Sequence, residues 1–263
     1  MNNAFYTGAS GLRAHQTAID ITSHNLTNSN TYGYKATKPE FRELLNNNMD
    51  INKNRELGEN EKILKGHGVK MSNQDLLFTQ GAFYNTGYQL DYAIQGEGFF
   101  RVQLADGSIA YTRNGHFNMS IQGDSIALTD SEGNPVLDVN GNAITVPNTY
   151  RSSKIGVDQF GNLTYPDANN NQKNIGIQIG LAYFPNAGGL EKTSNSNYLQ
   201  SEASGAPTVY TATELKSKIV SGYLESSNVQ AADEMVNMII AQRAYEMNSK
   251  AITASDEMLQ QAN

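Results

Sequence analysis

The 263-residue chain contains no cysteine, which excludes disulfides, thiolate nucleophiles and cysteine-ligated metal ions. Charged residues make up only 17% of the chain and apolar residues 38%, so the chain is polar for a globular protein. Its net charge of -7 is opposite to the basic surface of nucleic-acid-binding proteins, and we expect no nucleic-acid partner. The length nevertheless allows one large or two medium domains with a real core.

Long apolar runs are also absent. No stretch approaches the roughly 20 apolar residues that span a bilayer, so we expect no membrane insertion. The first 20 residues carry no basic residue before Arg13 and no apolar run of signal-peptide length. If the protein leaves the cytoplasm, we therefore expect it to use a route without a cleaved signal.

No residue pattern in the chain points to catalysis or to a bound cofactor. "QGEGFF", residues 95–100, lacks the third glycine of a dinucleotide-binding fingerprint. "DSEGN", residues 130–134, begins like a calcium loop but has no acid at the twelfth position. No pair of acids stands out as a hydrolase dyad, and the histidines form no H-E-x-x-H motif. These histidines are His15, His24, His67 and His116. We expect no enzymatic activity, no cofactor and no metal site.

An amphipathic helix is predicted at the N-terminus. Phe5, Leu12, Ile19 and Leu26 recur every seven residues and place one narrow apolar stripe along a helix. The glycines and threonines between them are poor helix formers, so this helix needs a partner to pack against.

The C-terminal segment has the strongest helical pattern of the chain. About 30 residues at 1.5 Å each make a rod of about 45 Å, a length typical of a coiled-coil partner. Its small and apolar positions advance by three or four residues: Val229, Ala232, Val236, Ile240, Ala244, Met247, Ala251, Ala254 and Met258. Since each terminal helix carries one narrow stripe, we predict that the two helices pack on each other as a coiled coil.

The middle of the chain has the pattern of a β domain. Short strand-like runs are separated by turn pairs, among them Asp106-Gly107, Asn140-Gly141 and Gly161-Asn162. A spacing of about ten residues between turns favours an antiparallel sandwich or barrel-like domain. The fold class is therefore α+β. We divide the chain into an N-terminal helix with an Asn-rich turn, a long polar connector, a β domain and a C-terminal helix, at 1–35, 36–69, 70–216 and 217–263.

"SHNLTNSNTYGYK", residues 23–35, resembles the N-terminal signature of bacterial flagellar rod and hook proteins, N-N-[ILV]-A-N-x-x-T-x-G-[FY]-K. The matching residues are Asn25, Leu26, Asn28, Thr31, Gly33, Tyr34 and Lys35, whereas His24 and Thr27 depart from the signature. Three further segments are similar to motifs of the same family in the same order. They are "LFTQGAFYNTGYQLDYAIQGEGFF" (77–100), "YTRNGHF" (111–117) and "GYLESSNVQAADEMVNMIIAQRAYEMNSKAITASDEML" (222–259).

The resemblance implies a structural subunit that polymerises helically into the flagellar rod after export by the flagellar type III apparatus. Residues 1–35 and 217–263 would form an inner tube around the export channel, 70–216 the outer wall, and 36–69 a bridge between neighbours. The implied partners are other copies of the chain, other rod subunits, the hook protein and the surrounding outer ring proteins. The implied assembly residues are Phe5, Leu12, Ile19, Leu26, Asn25, Asn28, Thr31, Gly33, Tyr34, Val229, Val236, Ile240, Ala244, Tyr245, Met247, Ala251 and Met258.

Within the family, the long connector is most like that of distal-rod proteins. Its internal sequence departs from the Pro/Gly/Gln-rich loop that is more typical, which leaves a proximal-rod paralogue or a hook-type subunit as the alternative. A second class of function is a periplasmic β domain that binds peptidoglycan. That function requires exposed aromatic side chains to cluster, which a sequence does not show.

Overall fold

In the computed structural model, two long helices stand at the ends of the chain and strands occupy the middle. The structure describes residues 3–44, 47–50, 62–151, 154–167, 171–210 and 217–262. Helix α1 spans Asn3–Thr27 and helix α2 spans Ala231–Ala262. The terminal helices contact each other and the strand pairings between them are antiparallel, so the predicted α+β class with paired terminal helices is confirmed.

One of two structural units combines both helices with the connector. Four strands, β1 to β4, lie in the connector or begin at its end, and have the bounds Thr37–Glu43, Asn47–Asp50, Lys62–Lys65 and Val69–Leu76. Strand β1 pairs with β4, and β2 pairs with β3 in an antiparallel register. The stretch predicted as a polar connection therefore contains extended, paired backbone on both sides of 51–61, a range that lies outside the described residues, as do 45–46.

The second unit contains residues 28–36 and 76–229. The sequence division instead placed 28–35 with the N-terminal helix, 36 with the connector, 70–75 with the β domain and 217–229 with the C-terminal helix. Strands β5 to β12 are Phe83–Asn85, Tyr92–Gln95, Phe99–Gln103, Ile109–Thr112, Asn118–Gln122, Ser125–Thr129, Thr145–Pro147 and Gly156–Val157. Strands β13 to β20 are Asn162–Pro166, Gln172–Gln178, Leu181–Tyr183, Glu191–Lys192, Asn197–Leu199, Thr208–Val209, Lys218–Ser221 and Tyr223–Glu225.

The strands of this β unit form one large sheet and several small ones. The six-stranded sheet has the order β16-β17-β8-β7-β15-β18, and two three-stranded sheets have the orders β11-β10-β9 and β12-β13-β14. Strand β19 pairs with β6, and β20 pairs with β5. The predicted turns lie between these strands. Asp106-Gly107 connects β7 to β8, for example, and the Asp106 carboxylate accepts a hydrogen bond from the Ser108 amide.

Two apolar clusters bury opposite faces of the six-stranded sheet. Because successive side chains of a strand point to opposite faces, Phe99 and Phe100 of β7 enter different clusters. Phe100 packs with residues such as Val102 and Leu181, whereas Phe99 packs edge-on against Tyr198. Each large side chain buried in this way contributes about 1.5–3 kcal/mol.

Small residues allow α1 and α2 to approach closely. A Cβ atom placed on Gly8 would lie 2.7 Å from Cγ1 of Ile252, closer than packed carbon atoms tolerate. On the facing helix, Ala241 and Ser255 are buried. The helices therefore pack along a face of small side chains, and a larger residue at Gly8 would have to displace the Ile252 side chain.

Candidate assembly surface

The buried face of α1 differs from the stripe predicted on the sequence. The four predicted positions are only half-buried: Phe5, Leu12, Ile19 and Leu26. The buried positions are mostly small and are spaced mainly by three and four residues: Gly8, Gly11, Ala14, Ala18, Ile21, Thr22 and Asn25. The helices do pair as predicted, but they do so through the small-residue face of α1.

The difference is larger on α2. Val236 is 55% exposed, Ile240 61%, Met247 65% and Met258 63%, so the predicted stripe does not pack on α1. The side chains turned towards α1 are instead those of a neighbouring face, which includes Ala241, Asn248, Ile252 and Ser255. Of the other predicted α2 positions, Ala244 is half-buried, and Tyr245 and Ala251 are exposed; Val229 precedes the helix. An apolar face of α2 is thus open to solvent.

This open face is wider than the predicted stripe. Met235 and Ile239, which belong to no predicted site, are also at least half exposed beside Val236 and Ile240. We call the set Met235, Val236, Ile239, Ile240, Met247 and Met258 the open α2 face. Monomeric soluble proteins rarely leave such an apolar surface uncovered, and surfaces of this kind mark protein–protein contacts.

Asn25, predicted from the motif, ties the end of α1 to the start of the connector and to α2. Its side-chain oxygen accepts a hydrogen bond from the Thr37 amide at 3.0 Å, and its Nδ2 donates to the Thr37 carbonyl at 2.8 Å. Nδ2 also donates to Oε1 of Glu234 on α2 at 3.3 Å. Partial burial raises the pKa of the Glu234 carboxyl, which the hydrogen bond from Asn25 opposes. This amide therefore joins three elements of the helical unit.

The segment that follows, residues 28–36, is held within the β unit, and we call it the latch. Thr31 donates from its amide to the Asn28 carbonyl and from its hydroxyl to the Asn28 side chain. Gly33 has a φ of 68°, and a Cβ there would lie 2.4 Å from the backbone nitrogen of Asn114. Its amide donates to the Glu225 carbonyl at 2.8 Å. Glycine is thus required at position 33 by both its backbone conformation and its contact.

A buried ionic cluster fixes the end of the latch. The Lys35 ammonium lies 2.6 Å from Oε1 of Glu225, and both side chains are fully buried. Arg113 Nη1 lies 3.3 Å from the other carboxylate oxygen, and the Gly81 amide donates to Oε1 at 2.9 Å. Lys35 also donates to the Thr79 carbonyl. Burial lowers the pKa values of Lys35 and Arg113, while the Glu225 carboxylate opposes that shift in both.

Tyr34 makes a second contact that holds the latch. It is 2% exposed, and the Lys192 ammonium lies 3.9 Å from the centre of its ring. An aromatic ring face attracts such a cation, but burial disfavours the charge and lowers the pKa of Lys192 to about 8. The latch residues named by the motif are therefore positioned by contacts within the β unit.

Sequence reasoning missed the residues that complete this arrangement. Glu225 and Arg113 lie inside motifs whose letters match the family, but neither was assigned a role. Asn228 was also missed, although its side chain accepts from the Ala36 amide and donates to the Leu77 carbonyl. For Glu225 and Arg113, the available signal was an ionisable residue next to strongly apolar strands. That signal does not identify the residue with which each one pairs.

Two observations concern the described residues as a whole. Within them, no group of three or more His, Cys, Asp or Glu side chains is arranged to hold a metal ion. Neither of the two described long helices is apolar enough over a sufficient length to cross a membrane.

Comparison with protein families finds matches to three descriptions. "Flagella basal body rod protein" matches residues 5–35, "Flagellar hook protein FlgE/F/G D1 domain" matches 93–165, and "Flagellar basal body rod FlgEFG protein C-terminal" matches 220–263. These ranges include α1 with most of the latch, much of the β unit and α2.

Among individual proteins, the chain is 35% identical to the flagellar basal-body rod protein FlgG of Bacillus subtilis, covering 99% of this chain and 98% of that protein. It is 36% identical to the FlgG of Borreliella burgdorferi, covering 100% and 98%. The flagellar hook-basal body complex protein FlhP of Bacillus subtilis is 30% identical, with 98% and 97% covered.

Proposed function

The chain belongs to the FlgG family of flagellar basal-body rod proteins, and we propose that it polymerises helically to form the distal part of the rod. It is a structural protein of the flagellar basal body and not an enzyme.

The observation that carries the proposal is the open α2 face. The helix already has one partner, α1, yet Ile240 and Met247 remain more than 60% exposed. Burying a side chain of this size contributes about 1.5–3 kcal/mol, so a neighbouring copy that covers several of them gains substantial free energy. The half-buried Leu12 and Ile19 of α1 offer further apolar area next to the small-residue contact.

A helical polymer follows from an interface that does not close. If the open α2 face of one copy packs against a different surface of the next, the contact is heterologous and repeats without limit. In this arrangement, residues 1–35 and 217–263 contribute the wall of an inner tube around the export channel. Residues 70–216 form the outer wall, and 36–69 bridge neighbouring copies.

Other components follow from the same assignment. We assign the rod to the periplasm, with the subunit exported by the flagellar type III apparatus. The partners are other copies of this chain, other rod subunits, the hook protein and the outer rings that surround the shaft. Identity of 35–36% to FlgG proteins, against 30% to FlhP, supports a subunit of the FlgG type over one of the FlhP type.

A cryo-EM map of isolated basal bodies tests this assignment directly. We expect density for this chain in the distal rod, with the open α2 face covered by the helices of neighbouring copies. Density for the chain in the proximal rod or in the hook would establish one of the alternatives. An α2 face exposed to the channel or to solvent would contradict the proposed role of that face.

A further inference from the structure

Two adjoining clefts lie on the β unit and share part of their lining. One has a volume of about 630 Å³ and the other about 500 Å³. Tyr88, Asp91 and His116 line both, and we call the two adjoining clefts together the tyrosine cleft. The site assigned above does not use this cleft, apart from latch residues on its wall.

The wall of the tyrosine cleft carries aromatic rings that the described chain leaves open. Tyr88 is 72% exposed and Tyr84 is 55% exposed. The rings of Tyr32 and Tyr84 lie with their centres 6.2 Å apart and their planes inclined by 30°. Tyrosines are enriched at the centres of protein–protein interfaces because each combines a large apolar area with a hydroxyl that can hydrogen-bond.

The polar groups of the cleft are held in place before any partner arrives. Nδ1 of His116 lies 2.7 Å from Oδ1 of Asp91, whose side chain is almost completely buried. The Asn85 side chain accepts from the Gly87 amide, and that of Asn114 accepts from the His116 amide. Fixed polar groups beside exposed rings give the apolar centre and polar rim of a specific interface.

We propose that the tyrosine cleft binds a neighbouring copy of this chain in the assembled rod, with Tyr84 and Tyr88 buried in the contact. This inference rests on the proposed polymer. The wall of the cleft includes Thr31, one of the family-signature residues assigned to assembly, with Asn30 and Tyr32 on either side of it. The neighbouring copy contacts the cleft through a different part of its own surface, so the contact is heterologous.

Cell-wall glycan is the other occupant that a tyrosine-lined cleft could accept. A rotating shaft that bound the wall would resist its own rotation, whereas contacts between copies stiffen the shaft and transmit torque. The mechanical role therefore favours a second copy.

Photo-crosslinking from the cleft identifies the occupant. The photoreactive residue p-benzoylphenylalanine replaces Tyr88 in one strain and, as a matched control, Ile121, which is 70% exposed on β9 of the same unit. Basal bodies isolated after irradiation should contain a dimer of this chain from position 88, at a yield at least fivefold above position 121. A crosslink to another protein, an adduct that lysozyme removes, equal yields or no crosslink from position 88 would each overturn the proposal.

Substitutions at Tyr88 and Ile240 test the cleft proposal separately from the proposed polymer interface. Tyr88→Asp should reduce the number of complete rods per cell at least tenfold, while Tyr88→Phe should leave it within twofold of the parent. The circular dichroism and thermal unfolding of purified Tyr88→Asp should match those of the parent chain, which excludes misfolding. If Ile240→Asp abolishes rods but Tyr88→Asp assembles normally, the polymer stands and the cleft proposal fails. If both variants assemble normally, the polymer interface itself is wrongly assigned.

Discussion

Lys35 and Glu225 lie 190 residues apart in the sequence, yet Lys35 Nζ is 2.6 Å from Glu225 Oε1 in a fully buried ion pair. One residue ends the family signature that follows the first helix, and the other lies shortly before the second helix. Both belong to the β unit. The pair thus anchors within one folded unit the two segments of chain that lead to the assembly helices.

Removing the Glu225 carboxylate should strongly destabilise the β unit. In Glu225→Ala, Lys35 and Arg113 remain buried without their anion, and the loss of one partner from a buried ionic group costs about 3–5 kcal/mol. The matched control is Glu246→Ala, which breaks the exposed Arg243–Glu246 pair and should cost less than about 1 kcal/mol. Urea unfolding of both variants measures the difference, and equal losses would contradict the importance of the buried cluster.

Two glycines with nearly equal, positive φ angles allow backbone strain to be separated from steric contact. Gly33 has a φ of 68° and Gly87 a φ of 71°, but only at Gly33 would an added Cβ meet backbone atoms. Gly87→Ala should lower the free energy of unfolding by about 1–2 kcal/mol, which is the cost of placing a residue with a Cβ atom in this backbone conformation. Gly33→Ala should lower the free energy of unfolding clearly more, because the backbone of Asn114 must also move to make room for the methyl group. Thermal unfolding gives the comparison, and equal shifts in Tm would show that the latch yields to the added methyl group.

Adjacent residues on α2 should respond oppositely to the same substitution. Ile240 is 61% exposed, whereas Ala241 is 7% exposed against α1. Ile240→Asp should therefore leave the fold and helix content of the purified chain unchanged and block assembly. Ala241→Asp should instead disrupt the pairing of α1 with α2 in the single chain. Circular dichroism measures the helix content of each purified variant, and electron microscopy of basal bodies measures assembly. Loss of helix content in Ile240→Asp would mean that this face is needed within the chain.

Lys192 should give the β unit a distinctive pH dependence. Its folded-state pKa of about 8 lies below the usual 10.5, so between these values the unfolded chain holds a proton that the folded chain has released. The free energy of unfolding contributed by this group therefore rises as the pH increases through that window. Relative to the parent, Lys192→Met should be most stabilising below about pH 8 and progressively less so towards pH 10. Chemical denaturation at several pH values measures the difference; a constant one would contradict the lowered pKa.

Much of the architecture could be read from local sequence. Turn pairs such as Asp106-Gly107 fix where strands end because their backbone preferences act over a few residues. Helical periodicity located α1 and α2, and the family signature placed Asn25 and Gly33 at positions where the structure needs an amide and a glycine. These features depend on neighbours in the chain, so the sequence by itself determined them.

Only the tertiary structure decided which faces of α1 and α2 meet. Apolar periodicity shows which side chains gain from leaving water, but it does not distinguish burial within the chain from burial against another copy. Gly8 and Ala241 carry little hydrophobic signal, yet they permit the closest approach of the helices, while Ile240 carries a strong signal and remains exposed. The pairing of Lys35 with Glu225 and of Tyr32 with Tyr84 likewise required the fold, because residues far apart along the chain come together only when it folds.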